Sequence, residues 1–203
     1  MVHIWNFGGL GKNEIAIRAG HACRGKESDE MKLIDRFGDI FQLSYVAKDR
    51  DVAVAYASAR LGIANFFCFD GKCPVRTRNG VEDLVLKVAV ANTGAHQFEI
   101  IEPVSGPTWI YTEGRDLERQ ALALHHIGIA VVGPYSTWQE TIAALEADGD
   151  EIVQISQLAT GEPPQAMFAY VDNRATLGHF TEYLWWAPKM NGTPTMPAIQ
   201  QGA

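Results

Sequence analysis

Four residues, Gln42, Glu99, His126 and Glu182, have side chains that bind divalent cations, and their spacing is regular. Gln42 and His126 are 84 positions apart, and Glu99 and Glu182 are 83 apart. Gln42 precedes Glu99 by 57 positions, and His126 precedes Glu182 by 56. Taken singly, each has an ordinary reading: a histidine at a strand start is usually structural, and a strand glutamate is usually exposed. The matched spacing makes them a set. An imidazole, two carboxylates and an amide oxygen suit one divalent ion such as Zn, Ni, Co, Mn or Fe(II). Two carboxylates facing one cavity are costly to bury, and a cation removes that cost.

The elements that must position these residues form a weak internal repeat. The first copy begins at 39–63, which opens with an alternating, strand-like stretch. A helix-period segment follows, with Val52, Val54, Tyr56, Ala57 and Leu61 as expected buried positions and Gly62 as its stop. Strands are expected at 64–70, 83–92 and 96–103, with turns at Gly71, Pro74, Asn79-Gly80 and Gly94. The second copy opens at 124–133. A helix over 136–149 follows, with Ser136 and Gln139 as a capping box and Gly149 as its end. Strands are expected at 151–159, 165–173 and 178–186. The fold class is α+β: two βαβββ modules forming curved half-barrels around a shared cavity. The domain reading is an N-terminal extension over 1–37, module 1 over 38–111 and a linker over 112–123, helical or extended. Module 2 covers 124–186 and a Pro/Gly-rich arm covers 187–203.

Strand alternation then says what shares each face. Ser44 and Val46 go with Gln42; Gly128 and Ala130 go with His126. These small neighbours leave room for a cavity. Gln97 and Ile101 go with Glu99. Phe180, Leu184 and Trp186 go with Glu182, giving an apolar and aromatic wall. His125 and His126 should point to opposite faces, and counting from the strand centre favours His126 as the inward one.

Bulk properties exclude several classes. The net charge of −7 over 203 residues argues against nucleic acid. No run approaches the roughly 18 apolar residues of a membrane span, and the N-terminus does not read as a signal peptide. The three cysteines, Cys23, Cys68 and Cys73, read as reduced thiols, which points to the cytoplasm. Arg60, Lys87 and Arg174 are scattered and form no obvious clamp for coenzyme A or glutathione.

The segments HHIGIAV (125–131) and FAYVDNRATLGHFTEYL (168–184) resemble the opening strand and closing hairpin of the vicinal-oxygen-chelate superfamily. That superfamily includes glyoxalase I, methylmalonyl-CoA epimerase and the bleomycin-resistance proteins, and the likeness is to its glyoxalase-like branch. FQLSYVAKDRDVAVAYASARLGI (41–63) and FEIIEP (98–103) resemble parts of its first module. The resemblance covers about 38–186. It implies metal ligands at Gln42, Glu99, His126 and Glu182. It also implies an isomerase, epimerase or lyase working by proton transfer through a metal-stabilised enolate-type intermediate. Glu182 is the expected base, with Glu99 the other catalytic candidate. The expected substrate is an oxygenated, hydrophobic or aromatic small molecule. Trp186, Phe180, Tyr170 and Asp172 are candidate contacts, the last two at the cavity mouth. His179 stays a candidate only if a bulge redirects it. A homodimer is expected. The alternative is a metal-free sequestration protein of the bleomycin-resistance type.

Overall fold

The computed structural model describes residues 40–157 and 165–187. The expected extension over 1–37, Cys23 and the arm beyond Ala187 lie outside these residues. The described residues belong to one compact unit.

Strand β1 (Ile40–Val46) leads to helix α1 (Arg50–Leu61) and then to β2 (Phe67–Thr77), β3 (Gly80–Thr93) and β4 (His96–Ser105). A one-turn helix α2 (Trp109–Thr112) precedes β5 (Ala123–Val131) and helix α3 (Tyr135–Asp148). Strands β6 (Ile152–Ser156), β7 (Ala166–Asn173) and β8 (His179–Trp186) complete the order, with a one-turn helix α4 (Arg174–Leu177) before β8. The order strand, helix, three strands therefore occurs twice. The eight strands close into a barrel in the order β1-β4-β3-β2-β6-β7-β8-β5. The fold class is the α+β barrel expected from the repeat.

Closure puts β4, β1, β5 and β8 side by side. Strand β1 runs parallel to β4, and β5 runs parallel to β8, while β1 and β5 are antiparallel. In these pairings Ser44 is opposite Glu99, Gln42 is opposite Gly128, and Gly128 is opposite Glu182. The four candidate ligands thus sit on four adjacent strands.

Alternation divides the side chains between the barrel interior and the helices outside. Inside, Val46, Val75, Leu84, Ile101, Tyr170 and Phe180 form an apolar cluster, to which α2 adds Ile110 and Tyr111. Outside, α3 presents Trp138 and Leu145 to Val131, Met167, Tyr183 and Trp185. Helix α1 packs through Ala53 and Ala57 onto Ala89, Phe98 and Ile100.

That face of α1 corrects the sequence expectation. Val52, Tyr56 and Leu61 are 64%, 44% and 54% exposed. Two alanines four residues apart let the helix backbone approach the sheet closely, so the bulkier apolar side chains lie on the outer side. The expected strand break at Gly71 and Pro74 is also absent, because β2 runs through both against β3. The pairing of β2 with β6 covers only Val75–Thr77. Pro74 turns its carbonyl away from β3 and toward Gln157, whose N–H donates to it at 2.8 Å, so its missing N–H takes nothing from the β2–β3 ladder. Asn79-Gly80 does form the β2–β3 turn.

Helix α3 starts after Pro134, and no side-chain cap is made, so Ser136 is not its N-cap. Pro134 is extended at φ −66° and sets the chain direction one residue before Tyr135. Gly62 and Gly149 end their helices in the left-handed conformation. Residues 113–122 form turns rather than a connecting helix. Cys68 and Cys73 lie five positions apart on one strand and are free. Among the described residues no helix is long and apolar enough to cross a membrane.

Candidate metal centre

The candidate ligands converge on Nε2 of His126. Gln42 Oε1 stands 3.1 Å from it, Glu182 Oε2 3.3 Å and Glu99 Oε2 3.5 Å. His126 is wholly buried, and the carboxylate side chains of Glu99 and Glu182 are 13% and 7% exposed. The two carboxylate contacts are at ion-pair distance but lack hydrogen-bond geometry, so both Oε2 atoms count as buried acceptors without a hydrogen-bond partner. Ser44 Oγ, between Gln42 and Val46 on the same face of β1, is likewise without one.

Two features shape this centre. Gln42 Nε2 donates to Gln97 Oε1 at 2.5 Å, which turns the Gln42 carbonyl oxygen toward His126. Gln97 shares Glu99's face by alternation, so its presence was legible, but its role as orienter was not. Gly128 makes the space. A Cβ there would lie 2.9 Å from Gln42 Cβ and 3.0 Å from Gln42 Oε1.

The histidine pair departs from strict alternation. Ser44 pairs with His126 and Tyr45 with Leu124, which leaves His125 as an extra residue in β5. This bulge turns both imidazoles inward. Their Nδ1 atoms are 2.8 Å apart, and His125 Nε2 is 3.3 Å from the Ile110 carbonyl oxygen. His125 stacks on Tyr111 at 4.7 Å and lies 5.0 Å from the Phe180 ring. The expectation that only one histidine faces inward is therefore corrected, and His125 is a site residue that period-2 counting missed. A bulge depends on the partner strand's register, so β5 alone carries no signal for it.

Burial dominates the electrostatics. It pushes the Glu99 carboxyl up to about 7, against the opposing pull of His126 and with the Glu182 charge adding to the rise. Burial holds His125 well below the usual histidine range, helped by its neighbours His126 and Arg115. Tyr170 is pushed well above its usual range by burial, and the nearby Glu182 charge acts in the same direction.

The remaining sequence candidates fall in different places. Tyr170 lies inside the barrel rather than at its mouth. It is opposite Glu182 on paired strands, and its ring is 5.1 Å from that of His126. Its position well within β7 leaves no loop to carry it outward. Phe180 is buried in the same aromatic group, beneath Arg174 at 4.7 Å and Arg115 at 5.7 Å. Asp172 is tied to Arg174, 2.6 Å from Nη2, which holds its carboxyl below the usual range. Trp186 meets Phe41 edge-on at 5.1 Å. His179 Nδ1 donates to the Phe180 carbonyl oxygen at 2.7 Å, which leaves it bound locally. Two surface cavities of about 370 and 280 Å³ lie elsewhere, one beside Lys48 and Arg115 and one beside Arg76 and Trp109.

Whether these residues fit a cation is a question of donor chemistry. The side chains contract around the imidazole, and among the described residues no three His, Cys, Asp or Glu groups already stand as a finished metal cage. The donors nonetheless fit one. Three oxygens from neutral and anionic groups face one imidazole nitrogen, and two of them are buried acceptors left unsatisfied. A divalent ion would supply the charge that this arrangement lacks.

No family model matches the sequence, and no curated protein matches it. Among solved structures, the chain is similar to methylmalonyl-CoA epimerase from Mycobacterium tuberculosis, at 13% identity over 79% of this chain and 96% of that one, with a TM-score of 0.48. It is similar to Streptomyces coelicolor methylmalonyl-CoA epimerase in complex with 2-nitronate-propionyl-CoA, at 15% identity over 74% and 99%, with a TM-score of 0.48. A hypothetical protein from Bacillus halodurans is similar at 17% identity over 72% and 93%, with a TM-score of 0.46.

Proposed function

We propose that the chain is a divalent-metal-dependent isomerase, epimerase or lyase of the vicinal-oxygen-chelate superfamily, acting on a small molecule with neighbouring oxygens. One observation carries this reading: two buried carboxylate oxygens without hydrogen-bond partners and one amide oxygen all turn toward His126 Nε2. Gln42, Glu99, His126 and Glu182 would hold the ion. A divalent ion bound there is a Lewis acid that stabilises negative charge on substrate oxygens.

The chain's own residues do the rest. Glu182 takes a proton from the carbon next to a carbonyl, and Glu99 can return one from the other side. Return to the opposite face gives epimerisation, and return to a neighbouring carbon gives isomerisation. Tyr170, opposite Glu182 on paired strands, would orient that carboxylate. The aromatic rings of Tyr170 and Phe180 keep water from the imidazoles. The exposed side chains of Val52 and Tyr56, one turn apart on α1, would offer a homodimer an apolar surface.

The test has two parts. Metal analysis of the purified chain should find about one Zn, Ni, Co, Mn or Fe per chain, removable by chelator. The metal-loaded protein should then catalyse deuterium uptake from D₂O at the carbon next to a carbonyl. The panel is α-hydroxy ketones, hemithioacetals of 2-oxoaldehydes and methylmalonyl-CoA. A chain that neither retains nor takes up metal overturns the proposal and favours metal-free sequestration. Metal uptake without exchange on any member of the panel overturns the enzymatic part.

A further inference from the structure

We infer that substrate enters from the β2 side, and that the exposed rings of Phe67 and Phe69 take its apolar end while its neighbouring oxygens lie at the ligands. This rests on the metal-site reading above.

Alternation assigns the inward face of β2. Val75 belongs to the interior cluster and Cys73 packs against it. Gly71, Phe69 and Phe67 follow at two-residue steps, so they share that face. Asp70, on the other face, pairs with Arg50 of α1 outside the barrel. Side chains that point into a small barrel normally fill it. Val75 obeys this and is wholly buried, yet Phe69 is 41% exposed and Phe67 54%. A Cβ on Gly71 would meet nothing within 4 Å. The inward face is therefore open to solvent along the first half of β2. Among the described residues, the register of β2 with β6 covers only Val75–Thr77, so no second strand is paired to β2 there.

The open face leads to the ligands. Phe67 pairs with Val90 on β3, and Val90 pairs with Glu99 on β4. Phe69 pairs with Val88, and Val88 with Ile101, in the next row. Adjacent strands are about 4.8 Å apart, so Phe67 stands two strands, or about 10 Å, from Glu99. Val88 and Val90 make an apolar floor between them. Glu99 is also the one ligand that is only partly buried, whereas Gln42, His126 and Glu182 are buried. Solvent thus reaches the ligand set from the side on which the two phenylalanines stand.

The aromatic residues beside Glu182 are placed differently. Tyr170 and Phe180 are packed into the interior cluster. The free aromatic surface lies instead on β2, where the two rings are 5.8 Å apart and tilted by 34°. Such a pair takes an aryl or alkyl group by burial of apolar area. The substrate class is then a small molecule with neighbouring oxygens at one end and an apolar group held away from them by a short spacer.

Hydroxamates carry two neighbouring oxygens and serve as probes. Acetohydroxamate has the oxygens and no ring. In 4-phenylbutanehydroxamate a three-methylene spacer separates the oxygens from a phenyl ring. Calorimetry gives their dissociation constants for the Zn²⁺-loaded full chain and for the variant carrying Phe67→Ala and Phe69→Ala. Wild type should bind the phenyl compound at least about tenfold more tightly, as burial of a ring implies. The variant should lose most of that preference and bind acetohydroxamate within about twofold of wild type. Equal affinity of wild type for both probes overturns the inference, as does an unchanged preference in the variant. An equal loss for both probes also overturns it, because the rings would then support the metal centre rather than the apolar end. If wild type takes up no Zn²⁺, the metal-site reading fails. Saturation-transfer NMR of 4-phenylbutanehydroxamate on the metal-free chain then decides: transfer to the phenyl protons that the variant abolishes upholds the apolar site, and equal or absent transfer overturns it. If the double variant does not fold, Phe67→Ala and Phe69→Ala taken singly carry the same comparison.

Discussion

Gly128 stands opposite Gln42 across the β1–β5 seam, and only the absence of a Cβ at 128 lets the Gln42 amide lie over it toward His126. The 2.9 Å clash would be with Gln42 Cβ, which is anchored to the strand backbone and cannot swing away. Gly128→Ala should therefore shift β1 against β5 and lower stability by about 1–3 kcal/mol. It should also weaken Zn²⁺ binding about tenfold by displacing the amide oxygen. Thermal melts with and without Zn²⁺ check both. A variant with unchanged melting temperature and affinity would show that the seam does not hold Gln42 in place.

Glu99 and Glu182 should cost the metal-free protein stability, since each has a buried oxygen without a hydrogen-bond partner. Glu99→Gln and Glu182→Gln should each leave metal-free stability unchanged or raise it, by up to about 1–3 kcal/mol. Both should lose most of the Zn²⁺-induced rise in melting temperature. Wild type at one hundred times its dissociation constant should gain about 2.7 kcal/mol. A large drop in metal-free stability in both variants would mean that the carboxylates are structural anchors.

The raised Glu99 pKa sets a pH dependence for the metal-free chain. Burial raises the carboxyl to about 7 in the fold, against 4.5 for a free glutamate. Between those values the native state holds the extra proton, so stability falls as pH rises from about 4.5 to about 7. The fall is at most about 3 kcal/mol from this group. Glu99→Gln should flatten it, and saturating Zn²⁺ should oppose it, because the cation favours the ionised form. Denaturant melts of metal-free protein at pH 5, 6, 7 and 8 test the sign, and a stability that rises across this window refutes it.

The buried face of α1 can be probed without touching the site. Ala57→Leu places a large side chain where the helix meets Ala89, Phe98 and Ile100, and should cost about 1–3 kcal/mol. Val52→Ala, on the exposed side, should stay within about 0.5 kcal/mol in the monomer. The reverse order in urea melts would return the helix to the orientation expected from hydrophobicity alone.

Much of the architecture is legible in the sequence. The repeated strand, helix, three-strand order, the Asn79-Gly80 turn and the helix ends at Gly62 and Gly149 depend on short-range conformational preferences, which the chain carries locally. The convergence of Gln42, Glu99, His126 and Glu182 was also legible, because alternation and repeat spacing are properties of the sequence itself. The face of α1 was not, because two apolar faces compete and only the sheet's close approach selects the alanines. The unbroken β2 was not, because whether a strand tolerates proline depends on which neighbour its backbone N–H would have to serve. The inward turn of both His125 and His126, the tie from Gln97 to Gln42 and the interior place of Tyr170 were settled by strand pairing. A one-residue slip in register reverses the direction of every later side chain on a strand. The chain therefore determines which residues can serve a metal, while closure of the barrel decides which atoms of those residues face one another.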